Sequence, residues 1–166
     1  MKKGFTLIEM LLYLSILSII VIAMSSFLFL SYNSRIKATV IAEIEQQGNQ
    51  TMSLITQNIR NAQSITSPSP GTASSSLTLT EYSAGVSPTI IAQSVNKLQM
   101  TEGVNPVVDI TSNRVIISGL TFQNLTRASS PGTIRIQFTL NYLNPDNLSE
   151  YTYSKIFTST ASLRYP

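Results

Sequence analysis

Glu9 is the residue whose chemistry stands out most from its setting, because it sits near the start of the run GFTLIEMLLYLSILSII. No side chain from Met10 to Ser34 carries a charge. An ionised acid at the middle of a bilayer costs about 2.5 to 3.5 kcal/mol, and less toward its edge. Two readings follow: the carboxylate snorkels to the membrane surface, or it meets a cation supplied from outside its own helix. Lys2 and Lys3 are poor intrahelical matches, since neighbours on a helix lie three or four residues apart.

The other acids considered offer less. Glu81, Glu102, Asp109, Asp146 and Glu150 are scattered, without the spacing of a calcium loop. A calcium site, or a carboxylate pair for glycoside chemistry, would have to be assembled by tertiary structure. The sequence has no cysteine and no histidine. Disulfides, thiolate zinc sites, Cys-His pairs and Ser-His-Asp triads are therefore excluded. No cofactor is implied, and the expectation is a protein that is not an enzyme. A hydrolase tethered by an uncleaved anchor is the enzymatic alternative.

Among the cations, Arg114, Arg127, Arg135 and Lys155 form a candidate set that could gather on a sheet face and touch nucleic-acid phosphates; a solvated face is the competing reading. The formal charge of +3 includes Lys2 and Lys3. With these set aside the chain is close to neutral, so no basic nucleic-acid footprint emerges. Asn49, Asn124 and Asn147 head Asn-x-Ser/Thr triplets, which arise readily by chance in a chain this rich in amides and hydroxyls.

The elements that must carry these residues follow from hydrophobic rhythm. LLYLSILSIIVIAMSSFLFL is long enough to cross a bilayer once as a helix, which takes about 20 apolar residues. Lysines precede it and Arg35 and Lys37 follow it, so charge alone leaves its orientation open. The short leader and the large polar segment downstream place the leader end in the cytoplasm. Beyond the span, Ile36, Val40, Ile44, Gly48, Met52, Ile55, Ile59 and Ala62 recur every three or four residues and predict one continuing helix with an apolar stripe. A helix from Phe5 to about Gln63 would be about 88 Å long, more than a small core can hide. Gly48-Asn49 is its weak point, where a bend is possible.

Thr66 to Ser76, TSPSPGTASSS, has no apolar period and reads as a mobile link. After it the period changes to two. LTLTEY, TIIAQ, KLQM, VVDI, RVIISGLTF and TIRIQFTLNY are the candidate strands, with Asn144-Pro145-Asp146-Asn147 as a turn and Glu150 to Arg164 as the returning strand. In TIRIQFTLNY, Ile134, Ile136, Phe138, Leu140 and Tyr142 share a face. The expected fold is α+β: a transmembrane helix whose C-terminal half is packed by an antiparallel β-sheet.

Lys2-Lys3-Gly4 followed by Phe5-Thr6-Leu7-Ile8-Glu9 resembles the leader and cut site of type IV prepilins and type II secretion pseudopilins. The resemblance implies a prepilin peptidase that cuts after Gly4 and methylates the new amino terminus on Phe5. It also implies that Glu9 meets the terminal ammonium of a neighbouring subunit during assembly. The physics is compatible, because an α-amino group is mostly cationic at neutral pH and pairing offsets part of the desolvation of both charges. Ordinary signal peptidase cleavage near Ala23-Met24-Ser25 competes with this reading, but the apolar stretch exceeds the usual h-region and Glu9 interrupts it.

The domain division this suggests is a leader at 1–4, an assembly and transmembrane helix at 5–34, its amphipathic continuation at 35–65, a linker at 66–76 and a β-rich head at 77–166. Many major pilins carry a proline in mid-helix, where this chain has Ser25-Ser26. That difference counts against the major, length-building subunit, and the order of elements, the stretch Ile59-Arg60-Asn61-Ala62 and the final SLR resemble the minor pseudopilin J group and the W-type minor pilins. The implied role is a tip or initiating subunit of a pilus or pseudopilus. Its partners would be other pilin or pseudopilin subunits, the prepilin peptidase, cytoplasmic membrane lipid and an assembly platform. Before assembly the head would lie outside the cytoplasm; afterwards the subunit would sit in a periplasmic or extracellular filament. A competence-pilus or adhesive subunit that binds DNA or a surface through the head is the alternative.

Overall fold

The computed structural model describes residue 4 and residues 6–164, and it has the expected α+β, pilin-like architecture: one long N-terminal apolar helix followed by antiparallel sheets. The helix, α1, spans Leu7–Asn61. Thr6 starts it. The Thr6 hydroxyl and carbonyl oxygens both accept from the Glu9 backbone N–H, at 3.3 and 3.1 Å. Such a side-chain cap satisfies a donor that the first turn would otherwise leave unpaired. At the other end, the Gln63 N–H donates to the Thr80 carbonyl at 2.8 Å, passing the chain from helix into sheet.

The chain divides into two compact units, Met1–Thr39 and Val40–Pro166. In the first, the helix is long and apolar enough to cross a membrane, and Leu11, Leu14, Ile19, Phe27 and Leu30 all face outward. Four serines interrupt that surface without leaving polar groups bare. Ser15 and Ser18 donate to the Leu12 and Ser15 carbonyls at 2.8 Å, and Ser25 and Ser26 donate to those of Val21 and Ile22 at 2.8 and 3.0 Å. In hydrocarbon each unsatisfied hydroxyl would be costly, so internal bonding is what lets this sequence remain lipid-compatible.

In the second unit, the strands are β1 (Ser64–Ser67), β2 (Ala73–Ser74), β3 (Ser76–Thr80), β4 (Thr89–Ser94), β5 (Lys97–Glu102), β6 (Val108–Asp109), β7 (Val115–Asn124), β8 (Thr133–Tyr142) and β9 (Ser154–Ser162). They form two sheets with antiparallel neighbours, in the orders β1-β3-β4-β5-β6 and β2-β7-β8-β9. The sequence pattern suggests one sheet, and the chain forms two. The segment read as a mobile link contains β2 and part of β1, which serve as edge strands of the two different sheets. It is also fastened, because the buried Asn124 amide donates to the Pro68 carbonyl at 2.7 Å while the Asn124 backbone bonds Gly71 and Thr72.

The core forms where the helix stripe meets both sheets. Ile44, Ile55, Ile59 and Ala62 are buried with Leu77, Leu79, Ile91, Leu98, Phe122 and the β8 row Ile134, Ile136, Phe138 and Leu140. The stripe is as the periodicity predicts, with Thr51 taking a buried place beside a half-buried Met52 and Ile36 remaining partly exposed. Along β7 the inward face changes phase, from Val115 and Ile117 to Leu120, Phe122 and Asn124. Between Ser118 and Thr121 the pairing with β8 slips, and Gly119 takes φ +62°. A bulge with an extra residue is what restores the apolar face after such a break, and a glycine accepts the left-handed backbone without a Cβ clash.

Candidate assembly segment and head surface

Glu9 lies in the first turn of α1. An acid there faces the positive end of the helix dipole, so part of its role is to stabilise the helix start. Thr6-Leu7-Ile8-Glu9 is also a Thr-x-x-Glu signature, the sequence mark of such a start, and that signal was available from the sequence. The carboxylate itself is turned along the helix: the Tyr13 hydroxyl donates to Glu9 Oε1 at 3.3 Å. Periodicity alone did not single out Tyr13, although its i+4 spacing from Glu9 is the relevant sign.

Gly4 is exposed, and a Cβ built on it would meet nothing within 4 Å. The fold therefore places no steric demand for glycine at this position. Phe5, the other residue of the expected cut site, lies outside the described residues, as do Lys2 and Lys3.

On the head, the four cations read as a possible phosphate-contacting set do not form a bare patch. Arg114 Nη1 lies 3.5 Å from Glu43 Oε2, and Lys155 Nζ lies 2.7 Å from Glu45 Oε1, so two of the four are answered by acids of α1. The Glu45 hydrogen bond raises the Lys155 ammonium above its ordinary range. Arg127 and Arg135 stay exposed on the 125–132 loop and on β8. Lys97 pairs with Asp109, which also accepts from the Gln99 amide at 2.8 Å. These two contacts, that of Lys97 first, hold the Asp109 carboxyl below its usual value.

The remaining acids do not assemble a metal centre: among the described residues, no three His, Cys, Asp or Glu side chains come together. Glu81 and Glu102 do approach each other electrostatically. Burial first, and then the charge of Glu102, push the Glu81 carboxyl above its ordinary value. Glu81 Oε1 is buried without a hydrogen-bond partner. The loops that follow β3 and β5 are closely apposed here, since a Cβ on Gly103, which has φ +55°, would fall 2.5 Å from the Gly85 carbonyl oxygen.

Of the three Asn-x-Ser/Thr sites, Asn124 is 2% exposed and fully engaged: its side-chain oxygen also accepts from the Thr126 N–H at 3.0 Å. That makes it a structural residue. Asn147 sits in the expected turn with φ +52°, a conformation asparagine tolerates.

Comparison with known proteins bears on the amino end. Residues 1–25 match the family model of the prokaryotic N-terminal methylation motif. Together with the single N-terminal apolar helix, this supports a type IV pilin-like prepilin and fits an anchor in the inner membrane. The motif implies processing by a prepilin peptidase and assembly with other pilin subunits. No curated protein and no solved structure matches the chain.

Proposed function

We propose that this chain is a minor pilin or pseudopilin, a structural subunit that waits in the cytoplasmic membrane with its head outside the cytoplasm and enters a filament through its helix. The peptidase would cut after Gly4 and methylate Phe5. Glu9 would then pair with the terminal ammonium of a neighbouring subunit, setting the register of assembly. The observation that carries the proposal is the conjunction, within 25 residues, of the methylation motif with a capped helix that exposes one apolar face after another.

Two features support a tip or initiating place over a shaft place. The helix runs from Leu7 to Asn61 without a proline, so its backbone bonds close throughout and there is no built-in site for melting. The order of elements, a long helix followed by a sheet-rich head, resembles the minor pseudopilin J group. Mass spectrometry of the membrane-extracted protein tests the processing step: a mature chain beginning with N-methylated Phe5 is expected. Material that still begins at Met1, or is trimmed beyond Ser25, overturns the proposal. Glu9→Gln is expected to remain in the membrane and fail to enter filaments, and normal incorporation of that variant would refute the role given to Glu9.

A further inference from the structure

A cleft of about 660 Å³ opens on the head between the C-terminal part of α1 and the end of β9. One wall is a single helix face, Ser53, Thr56, Gln57 and Arg60, spaced three and four residues apart. Ser162 and Arg164 line the other. Among the described residues, no acidic, aliphatic or aromatic side chain lines it.

The two arginines differ from most of the head's other cations. Lys97, Arg114 and Lys155 each have a carboxylate partner. Among the described residues Arg60 and Arg164 have none, although they share one cavity. Arg60 alone has a structural account, because a cation in the last turn of a helix is favoured by the unpaired carbonyls there. Arg164 has no helix end of its own. It is held in place all the same: its N–H donates to the Arg60 carbonyl at 3.1 Å, and the preceding Leu163, 9% exposed, donates to the Gly132 carbonyl at 2.8 Å. The arrangement thus brings two like charges to one cleft that has, among the described residues, no internal counter-charge.

We infer that this cleft is a binding site for a small hydroxylated oxyanion, a phosphate or carboxylate carried on a sugar-like scaffold. Guanidinium forks match the geometry of such oxygens and bind them by paired, charge-assisted hydrogen bonds. The volume lies in the range of small-molecule sites. Its lining of polar residue types favours a hydrophilic occupant, and the Thr56, Gln57 and Ser162 side chains are suited to answering hydroxyls. The ligand could be a free sugar acid or one unit of an anionic polysaccharide, since the recognised chemistry is the same.

The test is a titration of the full chain in detergent micelles, followed by the arginine side-chain ¹⁵N signals. The probes are glucose 6-phosphate, glucose, and polygalacturonate as the polymer. Saturable binding of glucose 6-phosphate but not of glucose is expected, with Arg60→Gln and Arg164→Gln each weakening it about tenfold, the loss of one hydrogen-bonded charge contact. Arg135→Gln, which removes an exposed arginine outside the cleft, is expected to leave binding unchanged. Arg60→Lys keeps the charge and should still weaken binding severalfold, because it loses the fork. Competition by polygalacturonate identifies the polymer as a source, and binding of glucose 6-phosphate without such competition identifies the free sugar; either outcome is consistent with the site. Absence of saturable binding, equal binding of glucose, or an equal loss in Arg135→Gln would overturn it.

Discussion

The ring of Phe157 rests on Gly48. A Cβ at residue 48 would fall 2.0 Å from Phe157 Cζ, and the ring has no room to withdraw because it is 7% exposed and stacks on Phe138 with centroids 5.5 Å apart. The glycine that reads as the weak point of the helix is a seat for an aromatic side chain of β9, and α1 continues through it without a break.

Gly48→Ala is therefore expected to destabilise the head. Alanine gains about 1 kcal/mol of helix propensity over glycine, but overpacking a filled core costs about 1 to 3 kcal/mol. Thermal unfolding in detergent should show a lowered midpoint, partly recovered by Phe157→Leu in the same chain, as expected for residues in contact. A Gly48→Ala protein more stable than its parent would show that the ring can move aside.

Tyr13→Phe removes the hydroxyl that bonds Glu9 and keeps the ring. The expected result is a shift in the infrared carboxylate band of isotope-labelled Glu9 in lipid, with helix content unchanged by circular dichroism. Tyr13→Gln, which restores a donor at the same spacing, should move the band back toward its original position. An unmoved band in Tyr13→Phe would mean that the contact does not form in the bilayer.

The Glu81 carboxyl titrates above its ordinary value of 4.5 because of burial and the Glu102 charge. The folded state therefore holds a proton that the unfolded chain releases first. Its contribution to stability is complete below about pH 4.5 and is lost as the pH rises through the raised folded value. Glu81→Gln should raise the unfolding midpoint at pH 7, with the advantage shrinking as the pH falls toward 4. An advantage that is constant with pH would assign the effect to packing alone.

Asn124→Ala leaves the Pro68 carbonyl and the Thr126 N–H without their partner. The expected loss is about 1 to 3 kcal/mol, together with faster proteolysis in the segment 68–72 that this side chain fastens. Asn49→Ala, on the exposed helix surface, should change stability little. Equal effects of the two substitutions would contradict the structural role of Asn124.

Much of this architecture was legible without coordinates, and the reason is periodicity. An apolar run of bilayer length and a three-and-four stripe from Val40 to Ala62 depend only on neighbours along the chain, and so does the alternation of Ile134, Ile136, Phe138 and Leu140; Val40, Ile44, Ile55, Ile59 and the β8 row are buried accordingly, while the apolar run stays exposed. The chemistry of the amino end, Gly4 before Phe5 and an acid at Glu9, is likewise written in consecutive residues. The Thr6 cap is equally local, since Thr-x-x-Glu is written in four consecutive residues.

What tertiary structure decided are the relationships between residues far apart in sequence. Local pattern could not assign β1 and β2 to different sheets, because two- and four-residue edge strands are recruited by partners that pair with them from residues 76–80 and 115–124. Nor could it tell that Glu43 and Glu45 would answer Arg114 and Lys155 while Arg60 and Arg164 would be left together in one cleft. The sequence by itself determined which faces must be hidden, since hydrophobic burial is read from composition and spacing. Which charges meet, and which glycine lies beneath a ring, was decided only when the sheets closed on the helix, because those contacts depend on geometry that no single segment contains.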